Sequence, residues 1–549
     1  MYVAEEFSPD EADILRRYFT NLDGPVFALV NLPEVVKGAL FARYSRSPKS
    51  LRRLFLDEFV NELDISGDAT VDATVGLRRA EELYDRVFFE YGDDSVAQLG
   101  AVHLACEQAS NVLTKVLERG RLMAYLEQST RYIAYDARIG GRYRYYRDPE
   151  VGMSNLGTRY VGDMDRLFDC YGELLGPMQE FFRDQFPKDD DDSDFVYRQA
   201  VRAKAFDSLR GLLPAASLSN VGIFGTGQAY ESLLIRMRSH PLPEARAYAE
   251  LILTELRKVI PSFLQRVDRA DRGGVWSEYL LSTREATGRL VGELFADLVA
   301  PGDDHPSGPS GQASVELLDF DPEGEDKVVA AIVAPRTSRP EAAVLERVRR
   351  LGADEKRSIL LAYTGDRANR RHRPGRAFER TDYRFDVVTD YGAFRDLQRH
   401  RMLTMDWQPL GAALGYDVPE VVEEAGLTDG YVASLERSRD LYEALASGFP
   451  EQASYAVALA YRIRYTMQMN AREAMHLLEL RSGPQGHPSY RWVAQEMHRQ
   501  IAVRAGHHLL AEAMSHVDYG AEDLERLEAE RRAERRRNSL PAATNPAMP

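Results

Sequence analysis

Cysteine is nearly absent from this chain of 549 residues: Cys106 and Cys170 are the only two, and no CxxC pair exists. At most one disulfide can form and no thiolate metal cluster can, so a reducing, cytoplasmic setting is the expectation. Several familiar catalytic signatures are missing too. There is no HExxH helix, no Walker A loop, no GxGxxG following a strand and no GxSxG elbow, which removes the commonest zinc, nucleotide and hydrolase motifs. His507-His508 is an isolated pair, and no metal site is expected. No apolar run approaches the roughly 18 residues of a membrane-spanning helix. The opening, MYVAEEFSPDEADILRRYF, has no basic start followed by an apolar stretch, so no secretory signal is expected. Positive charge is in deficit, with 70 basic against 86 acidic residues and a net charge of −16. A broad nucleic-acid face needs clustered Lys and Arg and is not expected, whereas a few placed arginines can still hold a small phosphate.

What is present is ordinary globular material in quantity, enough at roughly 150 residues per domain for two to four domains. The clearest break is APGDDHPSGPSGQAS, residues 300–314, rich in Pro, Gly, Ser and Asp. The stretch before it reads as mostly helical: residues 96–127 space apolar residues three and four apart, and residues 244–268 form another amphipathic segment in which Pro261 marks a kink or a new first turn. KDDDDSD at 188–194 reads as a solvated loop, since its aspartates lack EF-hand spacing. After the linker, VELLDF (315–320), KVVAAIVA (327–334) and YRFDVVT (383–389) read as strands, with helices following to about residue 520. The end of the chain, 521–549, reads as a charged helix-former and then a disordered segment.

Two segments look alike across the linker. LERGRLMAYLEQSTRY (117–132) and LQRHRMLTMDWQPLGA (397–412) share Leu-x-Arg-x-Arg, with Gln128 and Gln408 in register. ESLLIRMRSH (231–240) and MHLLELRSG (475–483) repeat the likeness in the same order. Arg119 with Arg121, and Arg399 with Arg401, can fork a phosphate or lie on a solvated helix face beside Glu118, Glu127 and Asp406. His400, flanked by two arginines, is expected to stay neutral near pH 7. In EQSTRY, Ser129, Thr130 and Arg131 can present hydroxyls and a guanidinium to an anion, or Ser129 can cap a helix. No histidine lies close enough in sequence to make Ser129 a nucleophile. In NAREAMHLLELR, Arg472 and His476 are four residues apart, so they either line a pocket or form the wet side of an amphipathic helix.

As a set, these residues resemble the flavin-dependent thymidylate synthases. That family's Arg-His-Arg, seven residues, Ser signature is shared between the halves. Arg119-Gly120-Arg121 is followed by Glu127, Ser129, Arg131 and Tyr132, while Arg399-His400-Arg401 keeps the histidine but has Trp407 and Pro409 at the Glu and Ser positions. The family's nucleotide-contacting Arg before a Val-Leu-Pro stretch is matched by Arg210 before Leu212-Leu213-Pro214. Its flavin-holding Asn-Ala-Arg helix is matched by Asn470-Ala471-Arg472, with His476 after it, against Thr226-Gly227-Gln228 in the first half. Arg236 and Arg481 match the arginine closing that helix. The family's His-x-Ser/Thr element appears as Asp93-Asp94-Ser95 and as Pro374-Gly375-Arg376.

The resemblance implies an α+β fold of two thymidylate-synthase-complementing-protein-like domains in tandem, helix-rich with a small sheet in each. They would span residues 1–299 and 315–520, joined by the linker 300–314. The sheet of the first half is implied by the resemblance alone. It further implies a nucleotide side made of Arg119, Arg121, Glu127, Ser129, Arg131, Arg210, Arg236 and Arg481, and a flavin side made of Arg399, His400, Arg401, Asn470, Arg472 and His476. The implied reaction is reductive methylation of dUMP, with FAD as cofactor and NADPH and methylene-tetrahydrofolate as co-substrates, in a homodimer that mimics the family's tetramer. A catalytically inactive nucleotide- or flavin-binding paralogue is the alternative.

Overall fold

The computed structural model describes residues 2–60, 98–190, 192–299 and 313–520, together with Leu527 and Arg531. The chain forms two compact units, and these do not follow the order of the sequence. The first comprises Met1–Gly172, Leu212–His305 and Ala433–Ala458; the second comprises Glu173–Gly211, Pro306–Val432 and Leu459–Pro549. Each half of the sequence therefore gives one helical segment to the other half's unit.

The first unit is built on strands β1 (Val26–Leu29), β2 (Ala101–Ser110), β3 (Met123–Glu127) and β4 (Leu218–Thr226), all antiparallel in the order β1-β2-β4-β3. Ser110 ends β2 and caps helix α1 (Asn111–Leu117), its hydroxyl accepting from the Leu113 N–H. Thr226 ends β4 and caps helix α2 (Gly227–Arg238) in the same way through Ala229. Helix α3 (Pro243–Arg257) follows, and Pro261 then opens a short 3-10 turn, a first-turn position that the sequence allows.

The second unit repeats this plan. Strands β5 (Ser314–Phe320), β6 (Asp382–Asp390), β7 (Thr404–Trp407) and β8 (Arg462–Asn470) pair antiparallel in the order β5-β6-β8-β7. Helix α4 (Gly324–Val333) lies between β5 and β6. Asp390 caps helix α5 (Tyr391–Leu397) and Asn470 caps helix α6 (Ala471–Arg481), with helix α7 (Pro488–Val503) after it. Among the described residues the two sheets share one topology, so the tandem α+β reading holds.

Four local expectations need correction. Of the expected helical stretch 96–127, the described residues 98–127 hold strand, helix and strand, because β2 is buried on both faces and a strand covered on both sides loses its period of two. KVVAAIVA forms α4 and not a strand: Val329 and Ala330 pack with Val344 and Val348, and this burial outweighs the β-propensity of the valines. The stretch after residue 390 is not wholly helical, since it contains β7 and β8. In β8 the signal was available, as Ile463, Tyr465, Met467 and Met469 are buried and alternate with more exposed Arg464, Thr466 and Gln468. Finally, the acidic loop is not fully solvated: Asp192 is buried and ion-paired with Arg531, which also meets Asp189 at 2.7 Å. Residues 300–312 of the expected linker, Asp93-Asp94-Ser95 and most of the 521–549 tail lie outside the described residues. No described helix is long and apolar enough to cross a membrane.

Candidate functional site

In the second unit, α6 starts where Asn470 leaves the sheet and ends at Arg481. The turn between α5 and β7 brings Arg399, His400 and Arg401 to the same place. Arg481 donates through Nε to His400 Nε2 at 3.0 Å, and His400 Nδ1 lies 3.2 Å from Glu473 Oε1. A guanidinium only donates, so Nε2 must be the acceptor and Nδ1 must carry the proton that goes to Glu473. The imidazole is therefore a neutral spacer with both nitrogens engaged. Burial, then the Arg481 charge, holds its pKa well below the ordinary value, in line with the neutrality expected from its flanking arginines.

His476, one turn beyond Arg472, receives a hydrogen bond at Nδ1 from Arg373 Nη2 at 2.9 Å. Burial, and then Arg373, lowers its pKa to about 4. Glu473 is pushed up to about 7 by burial, against the pull of Arg373, Arg472 and Arg401. Arg472 donates to the Pro374 carbonyl at 3.0 Å and approaches Glu379 at 3.4 Å. The donor atoms of His400, Glu473 and His476 lie within 4.8 Å of one another, which resembles a metal cluster in spacing. Its chemistry does not suit a cation, because arginine donors already hold a ring nitrogen of each histidine and surround the group with positive charge.

Next to this cluster, Asp396 of α5 faces three guanidiniums. Arg210 Nη1 is 3.3 Å from one carboxylate oxygen, and Arg399 Nη1 and Arg481 Nη1 are 3.5 and 3.8 Å from the other. Arg210 is 3% exposed, and its Nε and Nη2 are buried without a hydrogen-bond partner among the described residues. Gly392 makes the approach possible, since a Cβ there would stand 3.1 Å from those two nitrogens and 2.8 Å from Asp390 Oδ1. Arg210 also lines a cavity of about 580 Å³ with Lys204 and Trp492, a cavity that carries the carboxylates of Asp207, Asp390, Asp417, Glu420 and Glu424 as well. Leaving buried donors such as those of Arg210 unfilled is costly, so the position suits an acceptor group.

The corresponding turn of the first unit differs. Arg119 and Arg121 flank Gly120, where a Cβ would lie 2.5 Å from Tyr125 Oη and 3.6 Å from Arg236 Nη2. Arg236 thus faces the center of its Arg-x-Arg turn as Arg481 faces His400, with the imidazole missing. Its Nη2 is buried without a hydrogen-bond partner among the described residues, and burial lowers its pKa. Glu127 is buried and meets Lys115 Nζ at 3.1 Å, while Glu118 meets the same ammonium at 2.5 Å, so both carboxylates share this lysine. Ser129 does not cap a helix; its hydroxyl accepts from the Arg131 N–H at 3.3 Å in a tight turn.

The structure therefore brings Arg399, His400, Arg401, Asn470, Arg472, His476 and Arg481 together in the second unit. Arg210, grouped by its motif with the first half, belongs to that same unit. Arg119, Arg121, Glu127, Ser129, Arg131 and Arg236 belong to the first. Sequence reasoning missed Arg373, Asp396, Glu473 and Gly392. The run Arg370-Arg371-His372-Arg373, conspicuous in an acidic chain, was the available signal for Arg373, and Asp396 lies one turn ahead of Arg399. Glu473 and Gly392 carried no signal without the fold.

The family profile described as thymidylate synthase complementing protein matches residues 40–262 and 316–505. A UPF0159 protein of Chlamydia muridarum is 39% identical over 531 residues, covering 96% of this chain and 98% of that protein. A flavin-dependent thymidylate synthase of Clostridium tetani is 24% identical over 183 residues, covering 33% of this chain and 67% of that protein. Among solved structures, a UMP/dUMP methylase from Streptomyces cacaoi bound with 5-Br dUMP aligns with a TM-score of 0.30 and 21% identity, over 37% of this chain and 95% of that one.

Proposed function

Because the chain belongs to the thymidylate synthase complementing protein family, we propose that it is a flavin-dependent thymidylate synthase-like enzyme acting on dUMP. The observation that carries this reading is the set of guanidiniums around Asp396 and His400 in the second unit, with two donors of Arg210 buried and unfilled. That set fits a phosphorylated ligand. Arg373, Arg399, Arg401, Arg472 and Arg481 would hold FAD by its phosphates and ring edge, with Arg210 supplying two further donors. Bound there, FAD would carry hydride chemistry, with NADPH as reductant and methylene-tetrahydrofolate as carbon donor.

The chain's own part is positioning. His400 holds Arg481 and Glu473 at fixed spacing, so the guanidinium is oriented before the ligand arrives. The buried setting strengthens each charge-assisted hydrogen bond relative to one in water. Asp396 lies between three guanidiniums and offsets their mutual repulsion. In the first unit, Ser129 and Arg131 would contact the nucleotide, together with Arg119, Arg121 and Arg236. A homodimer belongs to the same proposal.

A binding-only paralogue is the second reading, favored by Gly120 standing where the second unit has a histidine and by Glu127 being held by Lys115. The visible absorption spectrum of the purified protein, with FAD and then dUMP added, tests the first reading. A flavin band that co-elutes with the protein and shifts with dUMP supports it, as does growth of a thymidine-requiring strain carrying only this gene. A protein that takes up no flavin overturns it. Flavin uptake without growth selects the binding-only reading.

A further inference from the structure

Glu473 has no part in the ligand contacts proposed above, yet it lies against His400 and His476 within the field of Arg373, Arg472 and Arg401. It is 7% exposed and stands 3.2 Å from His400 Nδ1. Its own backbone N–H is held by the Asn470 side chain, which fixes it at the first turn of α6. The groups that face it are known from each surrounding element. Arg472 and His476 come from α6, His400 and Arg401 from the turn before β7, and Arg373 from the loop ahead of β6; Glu379 lies beyond Arg472. Burial and the neighboring arginines hold both histidines below their ordinary range, His400 well below it and His476 at about 4.

We propose that Glu473 is the proton-sensitive counter-ion of this site, so that binding of a phosphorylated ligand in the second unit is coupled to uptake of a proton by its carboxyl. The inference rests on the anion-site reading given above. When Glu473 is ionised, it competes with the ligand for the arginines; when it is protonated, the whole cationic field is available. The chemistry balances simply: one proton moves from solvent onto a carboxylate oxygen as an anion enters, and no bond to carbon is made or broken. The direction follows from linkage. Glu473 titrates at about 7 in the free protein, and an adjacent anion raises that value further. Affinity should therefore fall as pH rises through 7 and level off once the carboxyl is ionised in both states. A shift of one unit on binding corresponds to about tenfold in affinity between pH 6 and 9.

Titration of the full-length protein with FAD, whose diphosphate does not titrate over this range, tests the coupling. Calorimetry at pH 8 in two buffers of different ionisation enthalpy should show net proton uptake, and the dissociation constant should weaken about tenfold from pH 6 to pH 9. Glu473→Gln should bind FAD at pH 9 about as tightly as the unaltered chain does at pH 6, with a flat profile. FAD binding with no proton uptake, or a pH slope retained in Glu473→Gln, overturns the coupling and leaves the anion site standing. No FAD binding at either pH overturns the anion site itself and the coupling with it. The proton-uptake measurement uses the unaltered chain and does not depend on the variant folding.

Discussion

The two Arg-x-Arg turns occupy the same place in two sheets of the same topology, and they differ by one imidazole. Glu127 pairs with Val221 five residues ahead of the cap Thr226, and Trp407 pairs with Tyr465 five residues ahead of the cap Asn470. The turns are thus in register, Gly120 against His400, with Tyr125 at the position of Met405. In the second unit, the imidazole joins Arg481 to Glu473. In the first, the space beside the glycine lies within reach of the Tyr125 hydroxyl, and the buried Arg236 has no imidazole to receive it. One unit has kept a histidine spacer, and the other has kept the arginines around a different filling. A duplicated site need not lose its fold or its charges when it diverges; changing the group between the charges is enough.

The comparison breaks most visibly if the two closing arginines are equivalent. Arg481→Ala should reduce FAD affinity at least about thirtyfold, since removing one partner of a buried charged hydrogen bond costs about 2–5 kcal/mol. Arg236→Ala should change it less than about twofold. Flavin retained through gel filtration reports both, and equal losses in two folded variants would end the distinction between the units. The next effect is on stability. Gly120→His places a Cβ 2.5 Å from Tyr125 Oη, and overpacking of this kind costs about 2 kcal/mol. Adding Tyr125→Met, which copies the residue of the second unit, should recover at least about half of that loss in urea denaturation. If the double variant is as unstable as the single one, the tyrosine is not what fills the missing histidine's place. The smallest effect separates ligands: Arg472→Ala should weaken FAD about tenfold, while Arg131→Ala should weaken dUMP about tenfold and spare the flavin. Isothermal titration with each ligand distinguishes the two, and loss of both ligands in both variants would refute the assignment.

Much of this arrangement was legible in the sequence because charged and apolar residues recur in the same order on both sides of residue 300. The Arg-x-Arg pairs, the Asn-Ala-Arg match at 470–472 and the closing arginines are local patterns, set by residue type and helix spacing. β2 was not legible, since a strand covered on both faces carries no alternation, and residues 327–334 misled because valines that favor strands were recruited into a buried helix. Asp396 and Glu473 are ordinary acidic residues until the fold places three guanidiniums around the first and an imidazole against the second. Arg210 shows a different limit. Its motif belongs to the first half of the chain, and nothing local in the sequence says that residues 173–211 are built into the other unit.

That exchange of helical segments has a genetic consequence. A chain cut near residue 300 would yield an amino-terminal product lacking residues 433–458 of its own unit and a carboxyl-terminal product lacking residues 173–211. Each product lacks a helical segment of its own unit, so each should be insoluble or degraded when made alone and recover when both are synthesized together. Once segments had been traded in this way, the ancestral duplication could no longer be undone by deleting either copy.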